Sequence, residues 1–396
     1  MKKTLKDFTL KNRRVLVRVD FNVPLDENQN ITDDTRIRET LPTINYLREQ
    51  NAKIILMSHL GRPKGKPEEK YSLKPVAKRL SELLNQEVKM APGCVDSETK
   101  KLALGLAPKE ILLLENLRFN PGEEKNDSAF ASELASLGEV FVQDAFGTVH
   151  RAHASTEGVA KYLPSCAGFL LEKELEYFSK VLEKPERTFV AILGGAKVSD
   201  KIMVIENLLN KVDALIIGGA MAYTFLKSKG IKIGKSLVEN EKFEIATKLL
   251  KKAEEKNVRL FLPIDHVIAD KISEDANSQE THGVEIPDNW IGVDIGHMTI
   301  NRIAPVIMQA KTIVWNGPMG VFEIEKFSIG TKKIAEIVAN ATKNGAVSII
   351  GGGDTVSAVK KAGVQDKISH ISTGGGASLE LLEGKILPGI AVLPEK

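Results

Sequence analysis

Cysteine is scarce in this sequence, and no long apolar run is present. Only Cys94 and Cys166 occur in 396 residues, and they form no CxxC pair. This scarcity argues against a disulfide framework or a zinc site, and it suits a reducing compartment. The charged opening MKKTLKDFTLKNRR favours neither a signal peptide nor a membrane anchor. We therefore expect a cytoplasmic protein that does not contact a membrane.

An excess of charge of one sign is also missing. The formal net charge is +3, so the total gives no reason to expect a nucleic acid as partner. The arginines are unevenly placed, however, since ten of thirteen fall between Arg13 and Arg151. Guanidinium groups bind carboxylates and phosphates through paired hydrogen bonds. This part of the chain therefore predicts a site for a small anion, unless the arginines are merely scattered over the surface.

Two familiar nucleotide motifs are absent. The segment GIKIGKS, residues 230–236, has three residues between its glycines where a P-loop needs four. No GxGxxG turn follows the first predicted strand, which disfavours hydride transfer with NAD. The histidines are accompanied by neither cysteines nor an HExxH pattern, so a histidine metal centre is not expected. For His150 and His153 we favour a structural role.

Four predicted strands in the first half end in polar or cationic side chains. The runs VLVRV, AKIILM, ILLL and EVFVQ are largely apolar, as strands of a parallel sheet require. The side chains that follow them are Asp20, Asn22, His59, Arg62, Arg118 and Arg151. Ligands of open α/β sheets bind beyond the carboxyl ends of the strands, so these six residues are expected to share one mouth. We call them the cationic basin, and they predict a site for a small, multiply charged anion.

The segment GGAKVSDK, residues 194–201, joins the apolar run TFVAIL to a helical pattern. Paired glycines at the end of a strand would leave backbone amides bare. Lys197 and Lys201 would lie close together if the helix had already begun. Such a turn suits a phosphate. The alternative is an ordinary glycine-rich turn with two solvated lysines, which is the more common case on local grounds alone.

Glycine ends four of the five β-type runs in the second half, which suits a nucleotide lying across strand ends. In GGGDT, residues 351–355, Asp354 is either the N-cap of the next helix or a carboxylate that holds Mg²⁺ against nucleotide phosphates. The triple glycine at residues 374–376 is either a flexible loop or a hinge whose amides lie beside a transferred group.

The alternation of β-type and helical segments predicts two lobes. A chain of 396 residues is too long for one ordinary core. The charged helical stretch at residues 170–189 has the length needed to connect two cores. We predict an α/β protein with two Rossmann-like, three-layer lobes and mainly parallel sheets, joined by a linker helix and a hinge.

Eight motifs, taken in order, resemble phosphoglycerate kinase. They are RVDFNVP, SHLGRPKG, ENLRF, DAFGTVHRAHAST, LGGAKVSDKI, NGPMGVFE, GGGDT and TGGGASLELLEGKILPG. The resemblance runs from about Leu5 to Pro394. It implies a phosphoglycerate lobe at residues 1–169, a linker helix at 170–187, a nucleotide lobe at 188–375 and a segment at 376–396 that packs back on the first lobe. It also implies reversible, Mg²⁺-dependent transfer of the acyl phosphate of 1,3-bisphosphoglycerate to ADP, giving 3-phosphoglycerate and ATP.

The resemblance further implies a role for each matching residue. Phosphoglycerate would contact the cationic basin together with Phe21, Arg36, Leu60 and Gly61. The residues at the reacting group would be Arg36, Lys197, Gly374 and Gly375. The nucleotide would contact Lys201, Gly292, Glu323, Gly352, Gly353, Asp354 and Thr355, with Asp354 on Mg²⁺.

The residue types fit this reaction. Transfer between a carboxylate and a diphosphate involves two oxyanions, so no general base or nucleophilic side chain is required. Substrates on different lobes must be brought into line, and we expect closure of the lobes. Another small-molecule carboxylate kinase would not need as many cations, and a non-catalytic nucleotide-binding protein would lack Arg36, Lys197 or Asp354. No coiled-coil heptads stand out, so we expect a monomer.

Overall fold

The computed structural model describes residues 2–396 and divides them into two compact units. One contains residues 2–176 and 386–396, and the other contains residues 177–385. The predicted lobe boundaries, 1–169 and 188–375, stay a prediction. Within the described residues, no helix is both long and apolar enough to cross a membrane.

The first unit is built on a parallel sheet of six strands. They are β1 Arg14–Arg18, β2 Lys53–Met57, β3 Val88–Met90, β4 Ile111–Leu113, β5 Val140–Gln143 and β6 Ser165–Ala167. Their order is β3-β4-β2-β1-β5-β6. The helices of this unit are α1 Thr35–Glu49, α2 Lys74–Leu84, α3 Ser97–Leu104 and α4 Ser128–Ser136. Alternate residues of β1 enter two separate cores, with Val15 and Val17 in one and Leu16 in the other. The sheet is therefore the middle of three layers.

The register of the central strands brings three loops to one edge. Arg18, the last residue of β1, pairs with Met57 at the end of β2 and with Gln143 at the end of β5. The chain leaves all three strands in the same direction, because both pairings are parallel. Asp20 and His59, each two residues beyond its strand, therefore start from the same edge of the sheet.

The second unit contains a second parallel sheet and a small antiparallel one. The strands are β7 Phe189–Leu193, β8 Ala214–Ile217, β9 Arg259–Phe261, β10 His266–Ala269, β11 Ser278–Glu280, β12 Ile291–Ile295, β13 Thr312–Asn316, β14 Val347–Gly351 and β15 His370–Ile371. The parallel sheet has the order β15-β14-β13-β7-β8-β9, and the antiparallel sheet has the order β11-β10-β12. The predicted fold class, α/β with mainly parallel sheets, is confirmed.

Eight helices are introduced with this unit. They are α5 Phe169–Leu182, α6 Ile202–Leu208, α7 Met221–Ser228, α8 Phe243–Glu255, α9 His297–Met308, α10 Ile329–Lys343, α11 Gly353–Lys361 and α12 Gly376–Leu382. The predicted linker helix, residues 170–187, is wrong at its end, since α5 stops at Leu182. Pro185 lacks an amide hydrogen and disfavours helical geometry in the residue before it, so the helix cannot continue as predicted.

The run RLFLPIDHVIA, predicted as one strand, forms two. β9 belongs to the parallel sheet, whereas β10 pairs with β11 and β12 in the antiparallel sheet. Pro263 lies between them and cannot donate a ladder hydrogen bond, so the two strands separate at this point.

The carboxyl-terminal segment contacts the first unit. Its helix α13, Pro388–Ala391, is followed by an extended tail. The amide of Gly389 donates to the carbonyl of Val149 at 2.9 Å, and the amide of Lys3 donates to the carbonyl of Pro394 at 2.9 Å. The helix α12, by contrast, falls within the second unit.

Candidate functional site

Asp20 connects three predicted site residues in the first unit. It follows β1 and is 7% exposed. Nη1 of Arg36, in the first turn of α1, donates to Oδ2 of Asp20 at 2.7 Å. The amide of Asn22 donates to the other oxygen of Asp20 at 3.3 Å, and Oδ1 of Asn22 accepts from the amide of Gly61 at 2.9 Å. The loops after β1 and β2 are thus tied together around one carboxylate.

Arg118 extends this cluster to the loop after β4. Its side chain is 5% exposed, and Nη1 donates to the carbonyl of Gly61 at 2.8 Å. Asn116, which sequence reasoning did not assign, fixes this loop by donating to the carbonyl of Leu60 at 2.7 Å. The side chains of Phe21 and Leu60 are buried in the core, so these two predicted site residues offer the site only backbone groups.

Charge connects the remaining members of the cationic basin. The pKa of His59 lies well below its ordinary value, first because the ring is buried and then because of nearby arginine charges. Those arginines are Arg18, Arg118, Arg36 and Arg151. Burial likewise lowers the pKa of Arg118, with Arg151 and Arg62 contributing repulsion. Arg18 of β1, Arg36 of α1 and the cations of the loops after β2, β4 and β5 therefore lie near one another. That they form one ligand site stays a prediction.

Arg18 is a buried cation beside the cationic basin that sequence reasoning missed. It is 1% exposed, and its Nη2 lies 3.2 Å from Nδ1 of His59. The available signal was an arginine inside the otherwise apolar run VLVRV, since a buried cation requires polar partners. His153, for which a structural role was favoured, lies next to this cluster, with its Nδ1 3.8 Å from Oε1 of Glu123.

In the second unit, the central glycine turn differs from its prediction. The amide of Gly194 donates to the carbonyl of Asn316 at 3.0 Å, and that of Gly195 donates to the carbonyl of Pro318 at 3.1 Å. The amides of these two glycines are therefore not bare, contrary to the prediction. The helix α6 begins only at Ile202, so Lys197 and Lys201 precede it and helical spacing does not bring them together.

These glycines are required by a close approach of two loops. A Cβ atom on Gly194 would lie 2.1 Å from the carbonyl oxygen of Pro318. Gly317 has φ +99°, and a Cβ atom on it would lie 2.2 Å from the carbonyl oxygen of Gly194. The strands β7 and β13, which these loops follow, are neighbours at the point where the strand order reverses. In sheets of this class, ligands bind at that switch point.

Lys201 lies at the same switch point. Its ammonium group donates to Oδ1 of Asn316, the last residue of β13. Burial lowers the pKa of Lys201 to about 8, while the carboxylates of Asp200 and Asp354 oppose that shift. Lys201 and Asp354 are therefore close enough to interact, as a shared phosphate site requires. Asn316 was not assigned from sequence. The usable signal was its place in the NGP segment, where an asparagine precedes a glycine at the end of a predicted strand.

The GGGDT segment forms the end of β14 and the start of α11. Gly352 is the N-cap, with φ +91°, and the exposed Asp354 lies in the first helical turn. Asp354 is therefore not the N-cap, which was the alternative to metal binding. Thr355 is fully buried, and its hydroxyl accepts from the amide of Gly317 at 2.6 Å. Gly353 begins the helix, so its amide belongs to the free first turn.

Gly292 and Glu323 lie elsewhere in the second unit. Gly292 is in β12, where its amide donates to Oγ of Ser236 at 2.9 Å. A Cβ on Gly292 would lie 2.2 Å from the hydroxyl of Tyr223, so only glycine fits beside this buried ring. Glu323 is exposed in the segment after β13.

The triple glycine begins a helix. Gly375 is the N-cap of α12, with φ +51°, and a side chain there would meet no atom within 4 Å. The amide of Gly374 donates to Oγ of Ser372 at 3.1 Å. The segment is thus an ordered turn at a helix amino terminus, which is the kind of place that attracts anions.

A separate cluster could hold a cation by geometry alone. Ligand atoms of Asp265, Glu280 and His297 lie within 4.8 Å of one another. The carboxylate of Asp265, however, already accepts from the amides of Met298 and Thr299 at 2.8 and 2.7 Å. It caps α9, whose positive amino end disfavours a cation.

Comparisons with known proteins cover both units. A family model described as phosphoglycerate kinase matches residues 5–385. The chain is 58% identical to a phosphoglycerate kinase of Chloroflexus aurantiacus over 396 residues, which is 100% of this chain and 99% of the relative. It is also 58% identical to a wheat relative named as cytosolic, covering 99% and 98%. The solved phosphoglycerate kinase of Coxiella burnetii superposes with a TM-score of 0.90 at 47% identity, covering 99% and 98%.

Two α/β units with parallel sheets, matched along nearly their whole length by enzymes of one kind, define a phosphotransferase with a carboxyl group as acceptor. The chain belongs to the phosphoglycerate kinase family. The reaction of this family is the reversible transfer of the acyl phosphate of 1,3-bisphosphoglycerate to ADP, giving 3-phosphoglycerate and ATP in glycolysis and gluconeogenesis.

Proposed function

We propose that the cationic basin holds the phosphoglycerate. Asp20 and Asn22 would bind its hydroxyl and carboxylate end. His59, Arg62, Arg118 and Arg151 would bind the phosphate that stays behind. The observation that carries this proposal is the grouping of Arg36, Arg118 and Arg151 around the buried His59, whose pKa is lowered first by burial and then by these charges and that of Arg18. Cations held this close repel one another, so a multiply charged anion would be bound with a large electrostatic gain.

The nucleotide is assigned to the switch point of the second sheet. Lys201 and residues 352–355 would bind its phosphates, because a lysine and the free amides of α11 meet there. Gly292, where a side chain would clash with Tyr223, would lie beside the adenine. Glu323 would accept hydrogen bonds from the ribose hydroxyls.

Asp354 is the proposed ligand of Mg²⁺. Its carboxylate is exposed, lies in the first turn of α11 and is near Lys201. Oxygen donors of this kind suit a hard cation that retains several waters. Bound there, Mg²⁺ would neutralise charge on the nucleotide phosphates.

Transfer is direct and in line. Arg36 would bind the reacting carboxyl group, and its ion pair with Asp20 aims the guanidinium before substrate arrives. Lys197 would follow the phosphoryl group in flight, with the amides of Gly374 and Gly375 completing the cradle. The groups assigned to the acceptor and to the nucleotide belong to different units, and we propose that the lobes close on the bound substrates before the reaction. We further propose that the enzyme is a cytoplasmic monomer.

The test is ATP formation from ADP, Mg²⁺ and 1,3-bisphosphoglycerate by the purified chain, beside Asp354→Ala. Robust activity, with the variant needing much higher Mg²⁺, would support the proposed sites. Unchanged Mg²⁺ dependence in the variant would remove Asp354 from the metal site. A folded chain that binds ADP but forms no ATP would overturn the assignment of the acceptor.

A further inference from the structure

His59 lies beside a buried arginine that the proposed substrate contacts do not include. Arg18 ends β1, and its Nη2 lies 3.2 Å from Nδ1 of His59. A guanidinium has only hydrogens to offer, so Nδ1 must be the acceptor in this contact and carries no proton. The ring hydrogen then lies on Nε2, because the two ring nitrogens of a neutral imidazole share one proton.

Two further buried residues hold Arg18 in place. Its Nε donates to Oγ of Ser155 at 2.8 Å, and that hydroxyl donates to Oε1 of Glu123 at 2.6 Å. Oε2 of Glu123 accepts from the amide of Ser155 at 3.0 Å. Ser155 and Glu123 are both fully buried. The hydroxyl of Ser155 has one hydrogen and donates it to the carboxylate, so its lone pairs face Arg18. The direction of this series of hydrogen bonds is therefore fixed.

The competing arrangement would place a proton on Nδ1, facing Asp20. The Oδ1 atom of Asp20 lies 3.8 Å from Nδ1, which is beyond hydrogen-bond reach. Asp20 instead accepts from Arg36 at 2.7 Å. Burial and the neighbouring arginines also lower the pKa of His59, so the ring is neutral near pH 7.

We propose that Arg18, held by Ser155 and Glu123, is a positioning residue that fixes His59 as the neutral tautomer with its hydrogen on Nε2. His59 then offers a donor to the anion in the cationic basin. Phosphate and carboxylate oxygens accept hydrogen bonds, so the other tautomer would turn a lone pair toward them. This inference rests on the proposed phosphoglycerate site.

Long-range ¹H–¹⁵N NMR spectra of the full chain distinguish the two tautomers without any substrate. We expect the Nε2–H pattern for His59, with the signal assigned by its loss in His59→Gln. Ser155→Ala removes the acceptor of Arg18 with a small change in volume. It should populate the Nδ1–H form and raise the KM for 3-phosphoglycerate roughly tenfold, the factor for one ordinary hydrogen bond, while the KM for ATP stays unchanged.

Ser165→Ala is the matched control. Ser165 is a buried serine of the same unit whose hydroxyl donates to the carbonyl of Leu163 at 2.7 Å. An Nδ1–H pattern in the unmodified chain would overturn the inference, and so would equal His59 spectra in the two serine variants. If Ser155→Ala does not fold, the unmodified chain still decides. If 3-phosphoglycerate does not bind the unmodified chain, the proposed function fails, whereas the spectra continue to test the tautomer.

Discussion

The arginines of the cationic basin lie close enough to repel one another. Burial lowers the pKa of Arg118, Glu124 opposes that shift, and the charges of Arg151 and Arg62 lower the pKa further. Such repulsion reduces the stability of the folded chain until an anion is bound. We therefore expect the basin to lower the free energy of unfolding of the unliganded chain and to raise its affinity for an anion. Ligand binding should stabilise the first unit.

Arg36 provides the sharpest test at the level of one residue. Arg36→Ala should lower turnover by ~10²-fold or more with little effect on nucleotide affinity, as expected for a contact that strengthens in the transition state. Steady-state kinetics in both substrates would measure this. Arg38→Ala is the control, since Arg38 lies on the same helix and forms an exposed pair with Asp34 at 2.8 Å. Equal losses in both variants would contradict the assigned role.

The sequence located the basin residues through the ends of apolar strands, but it did not locate their supports. Arg18 was missed because a single arginine within a strand becomes informative only once both faces of that strand are known to be buried. Asn116 was missed for a related reason, since its partners Leu60 and Tyr71 come from other loops. Such contacts depend on tertiary packing, which a local pattern does not encode.

At the scale of elements, glycine at the end of β7 serves the fold before it serves a ligand. The amides of Gly194 and Gly195 are bonded to the last residue of β13 and to the loop after it, so they do not face a phosphate. What the glycines provide is room, because two loops approach within a distance that excludes a side chain. The pattern was correctly noticed, but its physical cause differs from the predicted one.

Gly194→Ala tests this cause. The added methyl group would lie 2.1 Å from the Pro318 carbonyl oxygen, so one loop must shift. We expect a lower thermal midpoint, by several degrees, and a higher KM for the nucleotide, since overpacking typically costs about 1–3 kcal/mol. Gly283→Ala is the matched control because a Cβ there meets no atom within 4 Å. Similar midpoints for the two variants would argue against a steric role.

The small antiparallel sheet is the element that the sequence predicted least well. Its strands are short, and β11 is exposed along its whole length, so it shows no apolar pattern. The segment with β10 was joined to β9 because an apolar run of that kind cannot be divided by periodicity alone. Only pairing in three dimensions separates the two sheets.

Asp144 connects β5 to the start of α5. Its Oδ1 accepts from the amides of Leu170 and Leu171 at 2.9 and 3.2 Å. Burial raises its pKa to about 7. An unfolded Asp titrates near 3.9, so the folded chain holds an extra proton between about pH 4 and 7. The free energy of unfolding therefore falls as pH rises through this range, and the contribution of the protonated Asp144 is lost once pH has passed about 7.

Asp144→Asn keeps the acceptor but does not titrate. Relative to the unmodified chain, the variant should therefore gain roughly 3 kcal/mol of stability between pH 5 and pH 8. Thermal unfolding of both proteins at the two pH values would measure the difference. A difference that does not change with pH would show that Asp144 has the same charge in the folded and unfolded chains.

For the whole molecule, the reaction links the two units. The residues assigned to the acceptor all lie in residues 2–176, and those assigned to the nucleotide all lie in residues 177–385. Each unit is proposed to bind its own ligand, but direct transfer requires reacting atoms about 3–3.5 Å apart. A substrate-dependent change in the arrangement of the units is therefore the central prediction at this scale.

Small-angle scattering tests that prediction. With 3-phosphoglycerate and Mg²⁺-ATP both present, the radius of gyration should decrease toward about 21 Å, the value for one compact body of this length. Either ligand alone serves as the control and should produce a smaller change, because only the pair bridges both units. An unchanged radius with both ligands, under conditions where turnover is measured, would mean that the units already stand in the reactive arrangement. Closure would then have no part in the mechanism.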